Sequence, residues 1–384
     1  MLFEYVYGWN KLAMTIMGIW PEELKTYNFL RYRVLVPAFA MLSFICIPQT
    51  TNLFFIWGDF DLVVENLSLA NMSITMALLK NVIFWYKKKR EYTCMAEDWK
   101  KTETNKKNRE TMMFFRKISR MISIASTLLA QCVIVSCVAF RILYVRYNGR
   151  CLLFRAYFPF DSNRTPMFES LFACQILSLL FAALSYTSVD TFIAMLVLHV
   201  CGQLSNLQRE LRELGLHTRQ QFQTSLSRIV RRHGYLSWFS NTIEDCFNIM
   251  LLQQIISCTI QLCSQTYQPF VGDAEFSLVQ FLFFLTYVSY MMLHIFLYCY
   301  IGEQLLSYVI YFGKIISKYA AYECDWYNMS AEEARLLIII MCQAKSPFRI
   351  TAGRFCSFTI ELFSEILKKS MGYLSVLFAM KTKN

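Results

Sequence analysis

The clearest chemical pattern in the chain lies in its last apolar stretch, Phe355 to Met380. Four charged side chains interrupt this stretch near its middle: Glu361, Glu365, Lys368 and Lys369. Charges at the centre of a bilayer cost about 2.5–3.5 kcal/mol each on insertion scales, so they normally face protein or water. Polar and small residues recur here at three- and four-residue steps, which makes one helical face. Its members are Ser357, Glu361, Ser364, Glu365, Lys368, Gly372, Ser375 and Ala379.

The other face of this stretch is apolar and aromatic. Its members are Phe355, Phe358, Leu362, Ile366, Tyr373 and Leu377. A span with one polar and one apolar face could line a water-filled pathway. It could equally be a helix buried in a bundle, with Glu365 paired to Lys368 or Lys369 one turn further on. The spacing supports both interpretations to a similar degree.

The residue types that carry most enzyme and metal chemistry are present but scattered. Fourteen cysteines occur without a CxxC pair, and four histidines form no metal-ligand spacing. Most of these cysteines lie in apolar runs, where cysteine behaves as a small hydrophobic residue. No group of His, Asp, Ser and Cys assembles near the end of a span. We therefore expect neither an enzyme, nor a metal site, nor a cofactor.

The composition is that of a polytopic membrane protein. Of 384 residues, 56% are hydrophobic and only 17% are charged, and the mean hydropathy is +0.35. Soluble domains rarely combine so few charges with so much apolar content. The net charge of +11 comes from basic residues between the apolar runs, so it indicates membrane orientation and gives no reason to expect a nucleic-acid partner. The start of the chain lacks the pattern of a cleavable signal peptide.

Seven apolar segments predict an all-α membrane protein with seven transmembrane helices. They cover about 34–55, 62–86, 121–144, 168–200, 246–267, 277–312 and 355–380. A further apolar helix at 331–344 is too short to cross, and Ser346-Pro347 separates it from the last span. We expect four parts: a cytoplasmic segment 1–33, a six-helix bundle with cytoplasmic extensions 34–312, a cytoplasmic loop with the short anchor helix 313–349, and the seventh helix 350–384.

The distribution of basic residues predicts the orientation. The N-terminal segment and the connections 2–3, 4–5 and 6–7 hold 27 lysines and arginines, whereas the opposite side holds six. The positive-inside rule places the richer side in the cytoplasm, so the N-terminus is inside and the C-terminus outside. This topology is opposite to that of a G-protein-coupled receptor, and the DRY-like and NPxxY-like motifs of that class are missing. The sequon at Asn163 falls in an outer loop, where it could be glycosylated.

Several short sequence motifs, taken together with this topology, resemble those of the insect odorant receptor family. Most of the match lies near the C-terminus, in Ala352-Gly353-Arg354-Phe355, Ile360-Glu361-Leu362-Phe363, Ile366-Leu367-Lys368 and Tyr373-Leu374-Ser375-Val376-Leu377. Further matches are Phe158-Pro159-Phe160-Asp161, Asp190, His199, Gln203, Tyr298-Cys299, Gly302-Glu303 and Trp326. The resemblance covers the whole chain, strongly at its end and loosely in the first three spans.

The resemblance implies an odorant-gated, non-selective cation channel of four subunits around one pore. Tuning subunits of this family pair with a shared co-receptor subunit, which carries a long insertion in its second cytoplasmic segment. Here that segment is short, about 201–245, so the chain looks like a tuning subunit that binds a volatile odorant or pheromone. The implied location is the plasma membrane of olfactory sensory neurons, in contact with lipid. The related gustatory receptor family is the alternative, and a transporter is a more distant one.

The resemblance also implies site residues. It makes the last span pore-lining, with Glu361, Glu365, Lys368, Gly372 and Tyr373 on the pore and an apolar gate at Val376 and Met380. It places the odorant pocket in the outer half of spans 2, 3, 4 and 6. The pocket residues would be Leu69, Met72, Ser136, Phe140, Cys174, Leu177, Tyr287 and Tyr290. We expect Lys80, Arg141 and Arg354, which lie near predicted span ends, to reach the headgroups.

Overall fold

The computed structural model describes the chain except for residues 1, 21–32, 68–70, 86–105, 163, 215–218, 268–277, 321–326, 328, 346 and 382–384. The described residues form ten helices and one two-stranded hairpin. The helices are α1 (Leu2–Ile16), α2 (Leu35–Phe55), α3 (Phe60–Asn66), α4 (Met72–Trp85), α5 (Lys106–Asn148), α6 (Met167–Glu213), α7 (Arg219–Tyr267), α8 (Leu278–Lys318), α9 (Ala331–Lys345) and α10 (Ile360–Lys381). The hairpin strands are β1 (Thr351–Ala352) and β2 (Cys356–Ser357).

Five of these helices, α2 and α5 to α8, are long and apolar enough to cross a membrane. Helices α5 to α8 contain 43, 47, 49 and 41 residues, respectively. At about 1.5 Å per residue each exceeds 60 Å, roughly twice the hydrocarbon thickness of a bilayer. The predicted segments 168–200 and 277–312 are already longer than the roughly 20 residues that cross a bilayer, and α6 and α8, which contain them, are longer still. The polar segment predicted at 201–245 is largely helical, because α6 and α7 continue into it.

The described part of α4 is 14 residues long, and α10 contains five charged residues, so neither is one of these five helices. Helix α10 has 22 residues and is long enough to span. Seven spans therefore remain a prediction at these two positions, as does the orientation of the bundle.

Helix α6 is the centre of the bundle. Every residue from Ser185 to Leu204 is buried, so this segment contacts other helices on all sides. Such a helix is hydrophobic all round rather than amphipathic. Helices α5 and α8 pack along it, α1 and α2 also contact it, and α7 packs against both α6 and α10.

Helix α1 docks on the bundle. The indole nitrogen of Trp9 donates a hydrogen bond to Thr127 at 3.0 Å, and Thr191 donates one to the Asn10 side chain at 2.7 Å. Met14 and Met17 are fully buried, while Leu12 and Ile16 face outward. Its apolar face therefore packs on α5 and α6.

The last helix begins later than predicted, at Ile360 rather than Phe355. The chain turns at Gly353 and Arg354, which both have positive φ, and β1 and β2 pair antiparallel around this turn. A residue with positive φ cannot continue a right-handed helix. The predicted apolar face therefore loses Phe355, whose side chain is exposed.

Candidate functional site

A small cavity lies inside the bundle between α4, α5, α6 and α8. Its volume is about 70 Å³. Apolar side chains make most of its wall, and hydroxyl groups of Ser and Tyr interrupt it. The lining residues are Ser73, Ile74, Ala130, Val133, Ile134, Leu179, Ala182, Ala183, Tyr186, Tyr287, Tyr290 and Met291. Apolar walls with a few polar groups are typical of small-molecule sites.

Three tyrosines of the wall differ in how their hydroxyl groups are bonded. Tyr287 shares a hydrogen bond with Ser73 at 3.3 Å and donates one to Gln261 at 3.4 Å. The Tyr186 hydroxyl accepts a hydrogen bond from the Gln254 amide. The hydroxyl of Tyr290 has no hydrogen-bond partner among the described residues, although the side chain is 7% exposed. Tyr290 is thus the tyrosine whose donor is available to a bound molecule.

Of the predicted pocket residues, the structure places Tyr287 and Tyr290 on the cavity wall. Ser136 lies beside it and hydrogen-bonds Thr286 of α8 at 3.0 Å. The ring of Phe140 stacks on Phe283 with their centroids 6.2 Å apart. These two contacts join α5 to α8 on the side of the cavity nearer the C-terminal end of α5.

Met72, Cys174 and Leu177 are not among the described residues that line the cavity, and Leu177 is 48% exposed. Leu69 lies outside the described residues. On α5 the lining residues come about one helical turn before Ser136. On α6 they come about one turn after Leu177. The cavity is therefore deeper in the bundle than the predicted residues.

The segment between α5 and α6 explains this depth. Leu153 and Phe154 are buried, and the Leu153 carbonyl accepts a hydrogen bond from the Arg141 guanidinium at 2.8 Å. The Phe154 amide donates to the Gln175 side chain at 3.3 Å. This segment fills the end of the bundle at which α5 ends and α6 begins, next to Cys174. Arg141 also forms an ion pair with Glu65 at 3.5 Å, so it is bonded to protein rather than free to reach headgroups.

A charged cluster lies immediately beneath the cavity. Lys80 of α4 contacts Asp190 of α6 at 2.5 Å, and His294 of α8 contacts the other carboxylate oxygen at 3.0 Å. All three side chains are fully buried. The expectation that Lys80 reaches the headgroups is wrong, because its ammonium group is held inside the bundle. Arg354, which was also expected to reach the headgroups, forms an ion pair with Asp245 of α7 at 2.6 Å.

Helix α10 packs on α7 and α8 through one side only. Ile366 and Ser370 of α10 are buried, as is Phe358 just before the helix, whereas Glu361 and Lys368 are exposed. Lys369 and Glu365 form the predicted type of intrahelical pair at 3.4 Å, but both remain more than half exposed. Of the other predicted pore and gate residues, Gly372, Tyr373 and Val376 are exposed, and the side chain of Met380 lies outside the described ones.

The beginning of α10 is tightly joined to α8. A Cβ atom at Gly302 would overlap the Phe358 carbonyl and lie 2.7 Å from the Phe358 Cβ. Glu303, the next residue, accepts a hydrogen bond from the Ile360 backbone amide at 3.4 Å. One turn earlier on α8, Tyr298 packs its ring against Phe358. Thus α8 forms the cavity wall at one level and holds the start of α10 at another.

The hairpin before α10 is fixed to α7. Glu244 accepts hydrogen bonds from the backbone amide and the hydroxyl of Thr351, the former at 2.8 Å. The Gly353 amide donates to the Asn248 carbonyl at 2.9 Å. The sequence predicts none of these contacts, because the partners are more than 100 residues apart.

The described residues contain no group of three or more His, Cys, Asp or Glu side chains that could hold a metal ion. The predicted glycosylation residue, Asn163, lies outside the described residues. The cavity and the charged face of α10 are candidate functional regions.

Comparison with known proteins identifies what the chain is similar to. The family model described as "7tm Odorant receptor" matches residues 59–371. Odorant receptor 13a of Drosophila melanogaster is 24% identical over 248 residues, which are 58% of this chain and 56% of that protein. The match therefore spans little more than half the length of that relative. The odorant receptor coreceptor of Aedes aegypti is 29% identical over 153 residues, 40% of this chain and 30% of that protein.

A solved structure has the same fold. Olfactory receptor OR5 of Machilis hrabei, in complex with eugenol, superposes with a TM-score of 0.84. The match covers 99% of this chain and 98% of the receptor, at 16% sequence identity. At this identity the likeness establishes the fold alone.

Proposed function

The chain belongs to the 7tm odorant receptor family, which is a receptor rather than an enzyme family, and we propose that it is the odorant-binding subunit of an odorant-gated, non-selective cation channel. The observation that carries the proposal is the cavity among α4, α5, α6 and α8, with its apolar wall and three tyrosines. The solved relative OR5 is in complex with eugenol, a molecule that combines apolar and polar groups. An apolar cavity with a few hydroxyl groups suits a ligand of that kind.

The size of the cavity indicates that ligand binding widens it. Its volume is about 70 Å³, whereas an apolar cavity of about 150 Å³ accommodates benzene. A volatile odorant of benzene's size or larger must therefore displace side chains of the wall. Met291 is flexible, and the Tyr290 ring can turn about its side-chain bonds.

The partner that we propose is a co-receptor subunit in a heterotetramer. The exposed face of α10 supports this assembly, because it combines charges with apolar side chains that a single chain leaves uncovered. We propose that four such helices line one pore, with Glu361, Glu365, Lys368 and Gly372 on the water-filled side and Val376 and Met380 at the gate. Seven spans, a cytoplasmic N-terminus and the plasma membrane of olfactory sensory neurons complete this proposal.

Two-electrode voltage clamp in oocytes tests the proposed function. The chain is expressed alone and with the co-receptor, its presence at the cell surface is verified, and a panel of volatile odorants is applied. We expect rapid odorant-gated cation current only when both subunits are present. Current from this chain alone would replace the heterotetramer by a homomeric channel. Silence across the panel with both subunits at the surface would contradict the proposal.

A substitution at Tyr290 tests whether the cavity binds the polar group of the odorant. Because this hydroxyl has no partner among the described residues, we propose that it donates a hydrogen bond to the carbonyl, ether or hydroxyl oxygen of the odorant. One neutral hydrogen bond contributes about 0.5–1.5 kcal/mol. Tyr290→Phe should therefore raise the half-maximal concentration of oxygenated odorants by about two- to tenfold. Potencies of matched hydrocarbons should stay unchanged.

Tyr287→Phe is the matched control for this substitution. The Tyr287 hydroxyl already bonds Ser73 and Gln261, so its loss should affect oxygenated and hydrocarbon ligands alike. An equal effect of Tyr290→Phe on both ligand classes would show that the Tyr290 hydroxyl does not bind the odorant.

A further inference from the structure

The buried charged cluster contains one side chain from each of three helices that line the cavity. Lys80 belongs to α4, Asp190 to α6 and His294 to α8, and the two oxygens of the Asp190 carboxylate hold one partner each. A buried carboxylate with two partners in fixed geometry limits how far these helices can separate. The cluster thus fixes the spacing of the three helices just below the cavity.

The same cluster also contacts two aromatic rings of the cavity wall. The ammonium nitrogen of Lys80 lies 3.4 Å from the centre of the Tyr186 ring, within the range of a cation–π interaction. The imidazole of His294 packs against Tyr290, with ring centroids 4.4 Å apart, and against Tyr186 at 5.4 Å. Each of the two rings therefore has the cavity on one side and the cluster on another.

These contacts bear on how the cavity can widen. An odorant of ordinary size requires Tyr186 or Tyr290 to turn or to move away from the cavity. Lys80 resists movement of Tyr186 because its cation is attracted to that ring in a water-free environment. His294 resists movement of Tyr290 because its ring occupies the adjacent space, and Asp190 holds the imidazole in place.

We propose that the cluster of Lys80, Asp190 and His294 determines which odorants the cavity accepts. The three residues act as positioning residues: they hold Tyr186 and Tyr290 and so set the size and shape of the cavity floor. This inference rests on the proposed odorant-binding function and adds the part of the wall that discriminates between ligands. The cluster does not itself contact the odorant.

Two variants separate this role from a purely structural one. Lys80→Met combined with Asp190→Asn removes both charges, keeps similar volumes and leaves His294 a hydrogen-bonding partner. His294→Gln removes the ring that packs on Tyr290 while keeping a polar side chain. Paired removal is needed because a single neutralised partner would leave a buried charge uncompensated.

Each variant is expressed with the co-receptor and verified at the cell surface. Half-maximal concentrations are then measured for an active odorant and its longer and bulkier homologues. We expect the ratio between large and small ligands to change by about tenfold or more, the discrimination that one methylene group provides in an apolar pocket. Large ligands should gain potency relative to small ones, because the two rings move more readily.

Matched control variants lie away from the cavity. His199 is buried and packs edge-on against Phe239, so His199→Gln reproduces the chemical change of His294→Gln elsewhere in the bundle. Lys107→Met with Glu213→Gln neutralises an exposed pair of α5 and α6. Both controls should leave the potency ratio unchanged.

The outcomes distinguish failure of the inference from failure of the proposed function. Wild-type chain that stays silent with the co-receptor contradicts the proposed function itself. If the wild type responds but both cluster variants keep its potency ratios, the inference is overturned and the proposed function stands. Loss of both cluster variants from the cell surface, with the controls retained, would assign the cluster to folding and also overturn it. A changed ratio confined to the cluster variants supports it.

Discussion

Two regions of the molecule pair a lysine with a carboxylate inside a membrane-length bundle, and their surroundings are opposite. Lys80 and Asp190 are fully buried, and the pair is completed by His294. Lys369 and Glu365 of α10 also form a pair, but their side chains are 65% and 52% exposed. The first pair is satisfied within one chain, whereas the second belongs to a surface that one chain leaves open.

The apolar residues of α10 also belong to a surface that one chain leaves open. Met371, Tyr373 and Val376 are all more than half exposed, although they belong to a helix long enough to span a bilayer. An isolated chain would expose these side chains and the charges to the same lipid, at a cost for each charge. The comparison supports the proposal that the ligand-binding part of the fold is complete in one subunit, whereas the proposed pore-forming helix needs further copies.

The largest effect should come from Lys80→Met. Removing the lysine leaves the Asp190 carboxylate buried without its cation, which costs about 3–5 kcal/mol. This loss is a large fraction of the stability of an ordinary domain. We expect little receptor at the cell surface and a strongly lowered thermal unfolding temperature in detergent.

Two further variants check that the destabilisation by Lys80→Met comes from the uncompensated buried carboxylate of Asp190. Adding Asp190→Asn to Lys80→Met should restore surface expression, because the uncompensated carboxylate is gone. Lys369→Met, at the exposed pair, should change the stability by less than about 1 kcal/mol. Equal destabilisation by Lys80→Met and Lys369→Met would show that the two regions do not differ as the structure indicates.

A smaller effect is expected where α8 holds α10. In Gly302→Ala the new methyl group would overlap Phe358, so either α8 or the start of α10 must move. Overpacking of this kind costs about 1–3 kcal/mol. We expect a lowered unfolding temperature together with an altered odorant-independent current, because the displaced segment leads directly into α10.

Gly372→Ala is the matched substitution on α10. Within the described part of the chain, no atom lies within 4 Å of a Cβ at this position. Replacing a helical glycine by alanine stabilises a helix by about 1 kcal/mol. The unfolding temperature of the unassembled chain should therefore stay the same or rise. Destabilisation by both substitutions would argue against a specific contact between Gly302 and Phe358.

Much of the fold is predictable from the sequence because its signals are long. Apolar runs of 20 residues or more locate the helices, and the overlong runs correctly predict that α6 and α8 extend beyond a bilayer. The start of α10 is mispredicted because Phe355 continues the apolar pattern, whereas the backbone at Gly353 and Arg354 turns. A hydrophobic pattern does not encode that turn.

The candidate site is predictable only in part, for a physical reason. Tyr287 and Tyr290, which line the cavity, are found because the family resemblance points to the right part of α8. The residues one turn deeper, such as Ala130 and Ala182, have no distinguishing chemistry, and their role depends on how far Leu153 and Phe154 enter the bundle. The sequence places Lys80 near the end of a predicted span, and only its contact with Asp190, 110 residues away, reveals its place in the structure.

The smallest effect on stability, and the most direct test of α10, should come from Lys368→Gln and Lys369→Gln. Both lysines are exposed, so each substitution should change the unfolding free energy by less than about 1 kcal/mol. On a pore wall these lysines would repel cations, and their removal should raise single-channel cation conductance. Glu361→Gln and Glu365→Gln should lower it in the same recordings. Unchanged conductance in all four variants would place the charged face of α10 away from the ion pathway. Its charges would then contact other subunits, and the pore would have to be sought on a different face.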